Sequence, residues 1–481
     1  MTPDPDTPHP AAQVAPCPAN PTEWSRRTVA VLGVGVSGAA AATTLADLGA
    51  RVRAFDDGDG EPQQSAAAAL RHRGVEVLLG GLPTDAAALG AGVDMLVTSP
   101  GLRPNTAIFA AAADAGLPVW GEVELAYRLR PAGQTWLAVT GTNGKTTTTQ
   151  MLGAILAAAG RRSTTAGNIG TPLLEAVTAR DADGRPTYDV LAVELSSFQL
   201  HYTSTLAVAA GAVLNIAEDH LDWHGSIEAY AADKARVYSP GSVAIYNADD
   251  ATTERLAEGS SAAIRAGFTI GEPDESELGV VDGMLVDRAF GAGDLLAVAE
   301  LHVPGPHNLA NALAAAALAR AADVPGSAIA AALRDFRPGG HRNQVVAVAH
   351  GLTYVNDSKA TNPHAATASL AAYPSVVWIA GGLNKGLGFD DLVRAAGPRL
   401  RAAVLIGTCA EEIADALARH APEVPVLRAG SMDDAVRQAT GAAEAGDTVL
   451  LAPAAASMDM FRDYAARGDS FADAAREQEV R

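Results

Sequence analysis

Residues 136–147 read WLAVTGTNGKTT, an apolar run that passes into a glycine-rich loop containing Lys145 and Thr146. The run 136–140 predicts a buried β-strand, and the loop predicts the start of a helix. In such loops backbone N–H groups and a lysine bind the phosphates of a nucleotide, and a threonine hydroxyl reaches Mg²⁺. Val139 stands where the usual pattern begins with glycine, so this is a variant of the ATP-binding loop.

The same order of apolar run, polar loop and alanine-rich helix recurs along the chain, without a repeat of fixed period. Alternating strands and helices predict an α/β fold with largely parallel sheets covered on both faces. Ligands in such folds bind beyond the carboxyl ends of the strands. The polar side chains that follow each apolar run are therefore the candidate site residues.

At 481 residues the chain is long enough for about three domains. Boundaries are predicted near residues 121–122 and at the breaker cluster 337–340, RPGG. The predicted domains are 25–122, 123–338 and 339–481. Residues 1–24 are rich in proline and lack an apolar core, which predicts a disordered extension that is neither a signal peptide nor an anchor.

Composition excludes several classes of protein. The formal net charge of −20 argues against a nucleic-acid partner, because phosphate backbones are bound by clustered lysine and arginine. Cys17 and Cys409 are the only cysteines, so neither a disulfide framework nor a thiolate metal site is expected. No apolar run is long enough to span a bilayer. We therefore expect a cytoplasmic protein.

Carboxylates follow two further apolar runs and are candidate ligands of Mg²⁺. Glu194 ends the run 190–193, and Asp219 and His220 follow the run 208–215. A charge at the end of a buried strand is costly without a partner, and a metal ion would be one. The alternatives are a helix-capping carboxylate for Glu194 and an ordinary loop histidine for His220.

A second glycine-rich loop, residues 33–38 (GVGVSG), lies between an apolar run and a helical stretch. Asp56 and Asp57 end the next apolar run. This pattern predicts a site for a nucleotide diphosphate, which sits against the helix N-terminus. NAD is one possible ligand among several, and a purely structural tight turn is the alternative.

Polar residues cluster four times near the C-terminal end of the chain, in 340–342, 356–362, 381–385 and 453–457. Four such clusters predict a convergent site for a small, charged ligand. Two other residues have ordinary explanations on composition alone. Lys234, in the predicted helix 226–238, has the pattern of a solvated surface lysine, and Asn308 that of a helix cap.

Taken together, the chain resembles the Mur ligases of peptidoglycan synthesis from about residue 29 to about residue 467. The most specific segments are 141–147, 194–200, 215–220, 307–311 and 357–362. The last of these, DSKATN, resembles the family member that adds D-glutamate more than it resembles its siblings.

The resemblance implies three domains: an N-terminal Rossmann-like domain for a UDP-sugar, a central ATPase-type parallel sheet, and a C-terminal Rossmann-like domain for the amino acid. It also implies an ATP-dependent ligase that adds D-glutamate to UDP-N-acetylmuramoyl-L-alanine. The carboxylate takes the γ-phosphate of ATP to give an acyl phosphate, and the amine then displaces phosphate. The partners would be these small molecules, and we expect a monomer without membrane insertion.

Residue by residue, the resemblance implies four sets of contacts. ATP would contact Gly141, Thr142, Asn143, Gly144, Lys145, Thr146, Thr147, Asn311, Arg342 and Asp357. The UDP substrate would contact Val36, Ser37, Asp56, Asp57, Ser99, Gly101, Asn168 and Gln199. D-glutamate would contact Lys359, Thr361, Lys385, Ser457 and Met458. Two Mg²⁺ sites would use Thr146, Glu194, His220 and a carbamylated Lys234, and the catalytic set would be Lys145, Glu194, His220, Lys234 and Lys359.

Two other hypotheses stay open at this stage. An NAD(P)-linked oxidoreductase would use the loop 33–38, but it leaves Lys145, Glu194 and His220 unexplained. A non-catalytic nucleotide-binding module would bind ATP without releasing phosphate. Nicotinamide absorbance and phosphate release distinguish the three.

Overall fold

Three sheets follow one another along the chain, and helices cover them. The computed structural model describes residues 21–303, 305–337, 339–384 and 386–478. Within these ranges the sheets have five, nine and six strands. Most neighbouring strands are parallel, which confirms the predicted α/β class.

The first sheet is parallel throughout, with strand order β3-β2-β1-β4-β5. Its strands are β1 (Thr28–Leu32), β2 (Arg51–Asp56), β3 (Glu76–Leu79), β4 (Met95–Thr98) and β5 (Val119–Gly121). Its helices are α1 (Pro21–Trp24), α2 (Val36–Asp47), α3 (Glu61–His72), α4 (Ala107–Asp114) and α5 (Glu122–Leu129). The strand order reverses between β1 and β4, so a crevice for a ligand opens beyond their carboxyl ends.

The predicted disordered extension is wrong for its last four residues. Pro21–Trp24 form a short helix, and the Trp24 side chain is buried in the core of the first sheet. An indole removed from water stabilises the packing of this helix. The rest of the predicted extension, residues 1–20, lies outside the described residues.

The second sheet has the order β14-β13-β12-β11-β10-β9-β6-β8-β7. Its strands are β6 (Thr135–Thr140), β7 (Ser163–Gly167), β8 (Val190–Glu194), β9 (Ala210–Val213), β10 (Val243–Asn247), β11 (Ile264–Phe268), β12 (Glu277–Val281), β13 (Met284–Asp287) and β14 (Gly293–Ala297). Its helices are α6 (Lys145–Ala158), α7 (Leu173–Thr178), α8 (Ser197–His201), α9 (Leu221–His224), α10 (Ile227–Ala235), α11 (Ala251–Glu258), α12 (Pro306–Arg320) and α13 (Gly326–Asp335). The sheet is parallel from β7 to β12, and β13 and β14 pair antiparallel.

The third sheet has the order β15-β16-β20-β17-β18-β19, and only β15 and β16 are antiparallel. Its strands are β15 (Gln344–Ala349), β16 (Leu352–Asn356), β17 (Val376–Gly381), β18 (Leu400–Ile406), β19 (Val426–Arg428) and β20 (Thr448–Leu451). Its helices are α14 (Pro363–Leu370), α15 (Asp390–Ala396), α16 (Ala410–His420), α17 (Met432–Ala442) and α18 (Tyr464–Glu477). Two short 3-10 helices, Val298–Glu300 and Gly397–Arg399, complete the described elements.

A buried carboxyl lies where the first sheet passes into the second. Glu122 begins α5, only 4% of its surface is exposed, and its Oε1 accepts a hydrogen bond from Leu174 N of α7 at 3.3 Å. Burial raises the pKa of Glu122 to about 7, although the bond from Leu174 acts in the opposite direction. The carboxyl therefore keeps its proton at pH values at which an ordinary glutamate is ionised.

Replacing Glu122 by glutamine is expected to change how stability depends on pH. Between the ordinary pKa of 4.5 and the folded value of about 7, the folded chain binds a proton that the unfolded chain has released. Stability therefore falls as pH rises through this window. Relative to Glu122→Gln, we expect the wild type to lose roughly 2–3 kcal/mol between pH 5 and pH 8. Urea unfolding at both pH values measures this, and equal losses in the two proteins would contradict it.

Candidate active site

The phosphate-binding loop joins β6 to α6 through glycines with positive φ. Gly141 has φ 150° and Gly144 has φ 84°, conformations that L side chains rarely adopt. A Cβ atom on Gly144 would lie 2.3 Å from Asn311 Oδ1 of α12. Asn311 Oδ1 also accepts a hydrogen bond from Thr148 Oγ1 at 3.2 Å. The first turn of α6 is thus fixed against α12.

Alanine at Gly144 is expected to destabilise the protein through both strain and overlap. Positive φ alone costs a side chain about 1–2 kcal/mol. Gly133→Ala is the matched control, because Gly133 has φ 81° and a Cβ atom added there would meet no atom within 4 Å. We expect Gly144→Ala to cost roughly 1 kcal/mol or more beyond the control in urea unfolding. An equal loss of unfolding free energy in the two variants would contradict the overlap and show that Asn311 moves aside without cost.

Asn215, which follows β9, is hydrogen-bonded to Asn143 of the loop. Asn143 N donates to Asn215 Oδ1 at 2.8 Å, and Asn215 Nδ2 donates back to Asn143 O at 3.2 Å. Thr142 Oγ1 accepts hydrogen bonds from Ala217 N at 3.0 Å and from Tyr230 OH at 3.1 Å. These contacts fix the loop at the carboxyl end of the sheet, where phosphate would bind.

Lys145 lies at the first position of α6 and folds back over the loop. Its Nζ donates to Gly141 O at 2.9 Å and to Thr142 O at 2.8 Å. Burial lowers the pKa of Lys145, while Glu194 and Asp219 act to raise it. The ammonium therefore stands where an anion would compensate its desolvation.

Glu194 ends β8 inside the protein, with only 1% of its surface exposed. Its Oε1 accepts a hydrogen bond from Asn168 Nδ2 at 2.8 Å. Its Oε2 is buried and has no hydrogen-bond partner within the described ranges. A buried carboxylate oxygen without a donor is costly, and a bound cation would compensate it.

The described side chains around Glu194 do not form a complete set of metal ligands. Among the described residues, no group of three or more His, Cys, Asp or Glu side chains is arranged to hold a metal ion. Mg²⁺ usually binds through one or two carboxylates together with phosphate oxygens and water. The unpartnered oxygen of Glu194, together with the nearby Thr146, fits such a shared site.

Lys234 is buried, so its interpretation as a solvated surface lysine is wrong. It lies on α10 with 1% of its surface exposed, and its Nζ donates to Gly141 O at 2.8 Å. The same nitrogen lies 4.4 Å from the centre of the Tyr230 ring. Burial and the neighbouring Lys145 hold the pKa of Lys234 well below its usual value. The neutral amine is therefore favoured more than in an exposed lysine.

His220 has a left-handed backbone conformation, with φ 56°, directly before α9. Its Nε2 lies 3.5 Å from Asp219 Oδ2, and its ring packs 4.8 Å from the ring of Phe198. Positive φ in a histidine is uncommon and concentrates at functional sites. His220 lines the same cavity as the phosphate loop.

The third sheet contributes the opposite wall. Asn362 caps α14, and its Nδ2 donates to Asn143 Oδ1 at 3.2 Å and to Asp219 Oδ2 at 3.4 Å. The loop before α14 is therefore hydrogen-bonded directly to the phosphate loop.

Two further charged residues of the third sheet are buried at this wall. Burial raises the pKa of Asp357 to about 6 and lowers the pKa of Arg342.

A single cavity of about 1120 Å³ lies between these walls. It is large enough for a nucleotide and a second ligand. Predicted site residues that line it are Thr142, Asn143, Gly144, Lys145, Thr146, Thr147, Asn168, Glu194, His220, Lys234, Asn311, Arg342, Asp357, Lys359 and Thr361. Tyr464 also lines it, and Lys359 Nζ lies 3.9 Å from the centre of its ring.

The predicted UDP-contacting residues of the first sheet lie at the crevice between β1 and β4, outside this cavity. Asp56 Oδ2 accepts from Val34 N at 2.7 Å and its Oδ1 from Gly58 N at 2.9 Å, so Asp56 shapes the glycine loop. Ser99 Oγ is buried and has no partner in the part of the chain that is described. The other predicted contacts in this crevice are Val36, Ser37, Asp57 and Gly101.

Three predicted substrate contacts lie elsewhere. Gln199 is buried, and its Oε1 accepts from Ser196 N at 2.9 Å in a capping box at the start of α8. Ser457 is buried and Met458 is 65% exposed, and neither lines the cavity. The prediction for Lys385 lies outside the described residues.

Three family models match consecutive parts of the chain. Residues 27–121 match the model described as "Mur ligase MurD-like, N-terminal domain". Residues 139–319 match "Mur ligase middle domain", and residues 341–455 match "Mur ligase, glutamate ligase domain". The chain belongs to the Mur ligase family.

Curated Mur ligases are similar to the chain over nearly its whole length. A protein of Frankia casuarinae named UDP-N-acetylmuramoylalanine–D-glutamate ligase is 63% identical, covering 95% of each chain. A protein of the same name from Streptomyces avermitilis is 56% identical over 95% of this chain and 99% of its own. The sequence resemblance and the ligase class are thereby confirmed.

A solved Mur ligase structure shares the fold. The UDP-N-acetylmuramate–alanine ligase MurC of Thermotoga maritima has a TM-score of 0.57 at 18% identity, covering 94% of this chain and 100% of that one. Of the helices in the described ranges, none combines the length and the apolar character needed to cross a membrane.

Two buried residues of this Mur ligase escaped prediction from sequence. Asp233 directly precedes Lys234, and His224 follows His220 by four residues, yet neither position stood out from its neighbours. Asp233 Oδ2 lies 3.0 Å from His224 Nδ1. A helical stretch that carries both an aspartate and a lysine beside a histidine-rich turn was the available signal.

Proposed function

We propose that this Mur ligase uses ATP to join D-glutamate to the carboxylate of UDP-N-acetylmuramoyl-L-alanine, as a step in peptidoglycan precursor synthesis. The products would be the amide, ADP and phosphate. One observation carries the proposal: a single cavity brings the phosphate loop of the second sheet to the loop of Lys359 and Thr361 in the third. The name shared by the curated relatives supports D-glutamate as the amine.

In the first step, the chain must hold a carboxylate against the γ-phosphate of ATP, two groups that repel each other. Lys145 and Arg342 supply positive charge from opposite walls of the cavity. Fixed charges placed where negative charge develops lower the barrier without reorganisation. In this proposal Asn311 contacts the adenine, Asp357 the ribose, and residues 141–147 the phosphates.

Thr146, Glu194, His220 and a carbamylated Lys234 would hold two Mg²⁺ ions. When bound, the ions would neutralise the phosphate charge during transfer. The unpartnered Oε2 of Glu194 supports this assignment. The lowered pKa of Lys234 supports carbamylation, because only a neutral amine adds CO₂.

In the second step, the amine of D-glutamate displaces phosphate from the acyl phosphate. We assign Lys359 and Thr361, with Lys385, Ser457 and Met458, to the amino acid, whose two carboxylates need cationic partners. The first sheet would bind the UDP group through Val36, Ser37, Asp56, Asp57, Ser99 and Gly101. Asn168 and Gln199 would face the muramoyl side, and the reaction would take place in the cytoplasm.

Phosphate release tests this function. The purified enzyme is incubated with ATP, Mg²⁺ and UDP-N-acetylmuramoyl-L-alanine, and with D-glutamate, L-glutamate, L-alanine or diaminopimelate in turn. We expect sustained release with D-glutamate alone. Release that is equal with all four amino acids, or absent with every one, would overturn the proposal.

A further inference from the structure

A chain of hydrogen bonds runs from the cavity into the interior of the second domain. Ser197 Oγ lies 2.9 Å from His224 Nε2, and His224 Nδ1 lies 3.0 Å from Asp233 Oδ2. Ser197 is 2% exposed, and the side chain of His224 is 1% exposed. Three groups with this order and spacing form a proton-accepting relay in enzymes that activate a nucleophile.

Asp233 determines which nitrogen of His224 carries the proton. Its Oδ2 also accepts from His201 Nδ1 at 2.8 Å, and its Oδ1 accepts from Arg236 Nε at 3.1 Å. A carboxylate that faces donors on His201 and Arg236 acts as an acceptor, so His224 carries its proton on Nδ1 and turns the lone pair of Nε2 toward Ser197.

Of the three hydrogen-bonded side chains Ser197, His224 and Asp233, Ser197 is the one that lines the cavity. It lines the same space as Glu194, Lys145 and Lys359, whereas His224 and Asp233 do not. The neighbouring Ser196 cannot replace it, because Ser196 Oγ is engaged in the capping box with Gln199. The hydroxyl of Ser197 is thus the cavity end of a buried path that leads to a carboxylate.

Several other polar groups that line the cavity already have a role in the proposed function. Lys145, Lys359 and Arg342 are assigned to anionic groups, and Glu194 and His220 to metal ions. An amine that attacks a carbonyl must give up a proton, so a base is needed in the second step. Ser197 backed by His224 meets that need.

We propose that Ser197, His224 and Asp233 take up the proton of the attacking amine, an inference that rests on the proposed function. The amine enters as –NH₂ after losing its first proton to water. Its nitrogen forms the bond to the acyl carbon, and phosphate leaves with the electron pair of the broken C–O bond. The proton released by the nitrogen passes to Ser197 Oγ, while the proton of Ser197 passes to His224 Nε2. Asp233 offsets the imidazolium charge until that proton returns through Ser197 to water.

A comparison of two amine nucleophiles, hydroxylamine and D-glutamate, distinguishes a proton relay from a structural role of these residues. Hydroxylamine is largely neutral near pH 7 and traps an acyl phosphate as the hydroxamate without a base, whereas D-glutamate needs one. With ATP, Mg²⁺ and the UDP substrate, we compare Ser197→Ala and His224→Gln with the wild type. General-base catalysis contributes about 10²–10⁴-fold. We therefore expect ligation of D-glutamate to fall about 100-fold or more, with hydroxamate formation within a few-fold of the wild type.

His201→Gln is the matched control, since His201 and His224 both contact Asp233 Oδ2, and the contact with Ser197 Oγ is made by His224. We expect this variant to ligate D-glutamate far better than His224→Gln does. Equal loss of ligation and hydroxamate formation in Ser197→Ala would overturn the relay, as would normal ligation in that variant. Absence of ligation in the wild type would instead contradict the proposed function.

Discussion

Lys145→Ala is expected to reduce turnover with D-glutamate by about 10³-fold. The lysine folds over its own loop, where Nζ contacts two carbonyl oxygens and stands ready to pair with phosphate. Without it, negative charge would build up on the transferred phosphoryl group and lack its nearest side-chain partner. Phosphate release at saturating substrates measures the loss.

Lys145→Met keeps the apolar stem and removes only the charge, so it should lose nearly as much activity as Lys145→Ala. Both variants should keep the unfolding midpoint of the wild type within a few degrees. Burial of the Lys145 side chain is costly, and the hydrogen bonds of its Nζ to described residues go to carbonyl oxygens. Turnover within a few-fold of the wild type in Lys145→Met would contradict the role of the charge.

Lys234→Ala is expected to cost on the order of 10²–10³-fold in turnover, and short carboxylic acids such as formate should restore part of it. A carbamate would present oxygen atoms that alanine lacks, and a small carboxylate can occupy the vacated volume. Lys145→Ala should show no such rescue, which makes it the control. Absence of rescue in a folded Lys234→Ala variant would count against carbamylation.

Carbon-13 NMR in the presence of ¹³C-labelled CO₂ gives a second readout for Lys234. The chain contains only four lysines, Lys145, Lys234, Lys359 and Lys385, so a carbamate resonance can be assigned by substitution. We expect one resonance that disappears in Lys234→Ala and persists in Lys359→Ala. A resonance unaffected by Lys234→Ala would place the carbamate elsewhere.

That count of lysines was also a signal in the sequence. The chain carries 35 basic residues, so arginine supplies nearly all of its positive charge. Carbon dioxide adds to an amine and not to a guanidinium, and a compact ammonium suits a phosphate loop. Three of the four lysines line the cavity. Lys234 had the pattern of a surface residue. The apolar spacing of a helix shows which face is buried, but it does not show that one polar residue on the helix is buried as well.

Sequence patterns predicted the parallel strands of the fold better than its antiparallel ones. The alternation of strand and helix identified the phosphate loop and the crevice at residues 33–38. It did not reveal β13 and β14, or the pairing of β15 with β16. Short strands at sheet edges carry weak apolar patterns, because only part of each strand is buried.

Side-chain assignments were limited by contacts between distant segments. Asp56 directs a carboxylate oxygen to Val34 N, 22 positions earlier in the sequence, and Gln199 directs its amide oxygen to Ser196 N, three positions earlier. Asn362 reaches Asn143 across 219 positions of the chain. Spacing along a sequence identifies residues near a strand end, but it does not give the partner that each atom finds after folding.

In the proposed reaction, phosphate from ATP activates the carboxylate of the UDP substrate. The most direct test uses UDP-N-acetylmuramoyl-L-alanine labelled with ¹⁸O in that carboxylate, together with ATP and D-glutamate. One labelled oxygen should appear in the released phosphate, matched by one amide product per phosphate. Unlabelled phosphate, or AMP in place of ADP, would contradict an acyl-phosphate ligase.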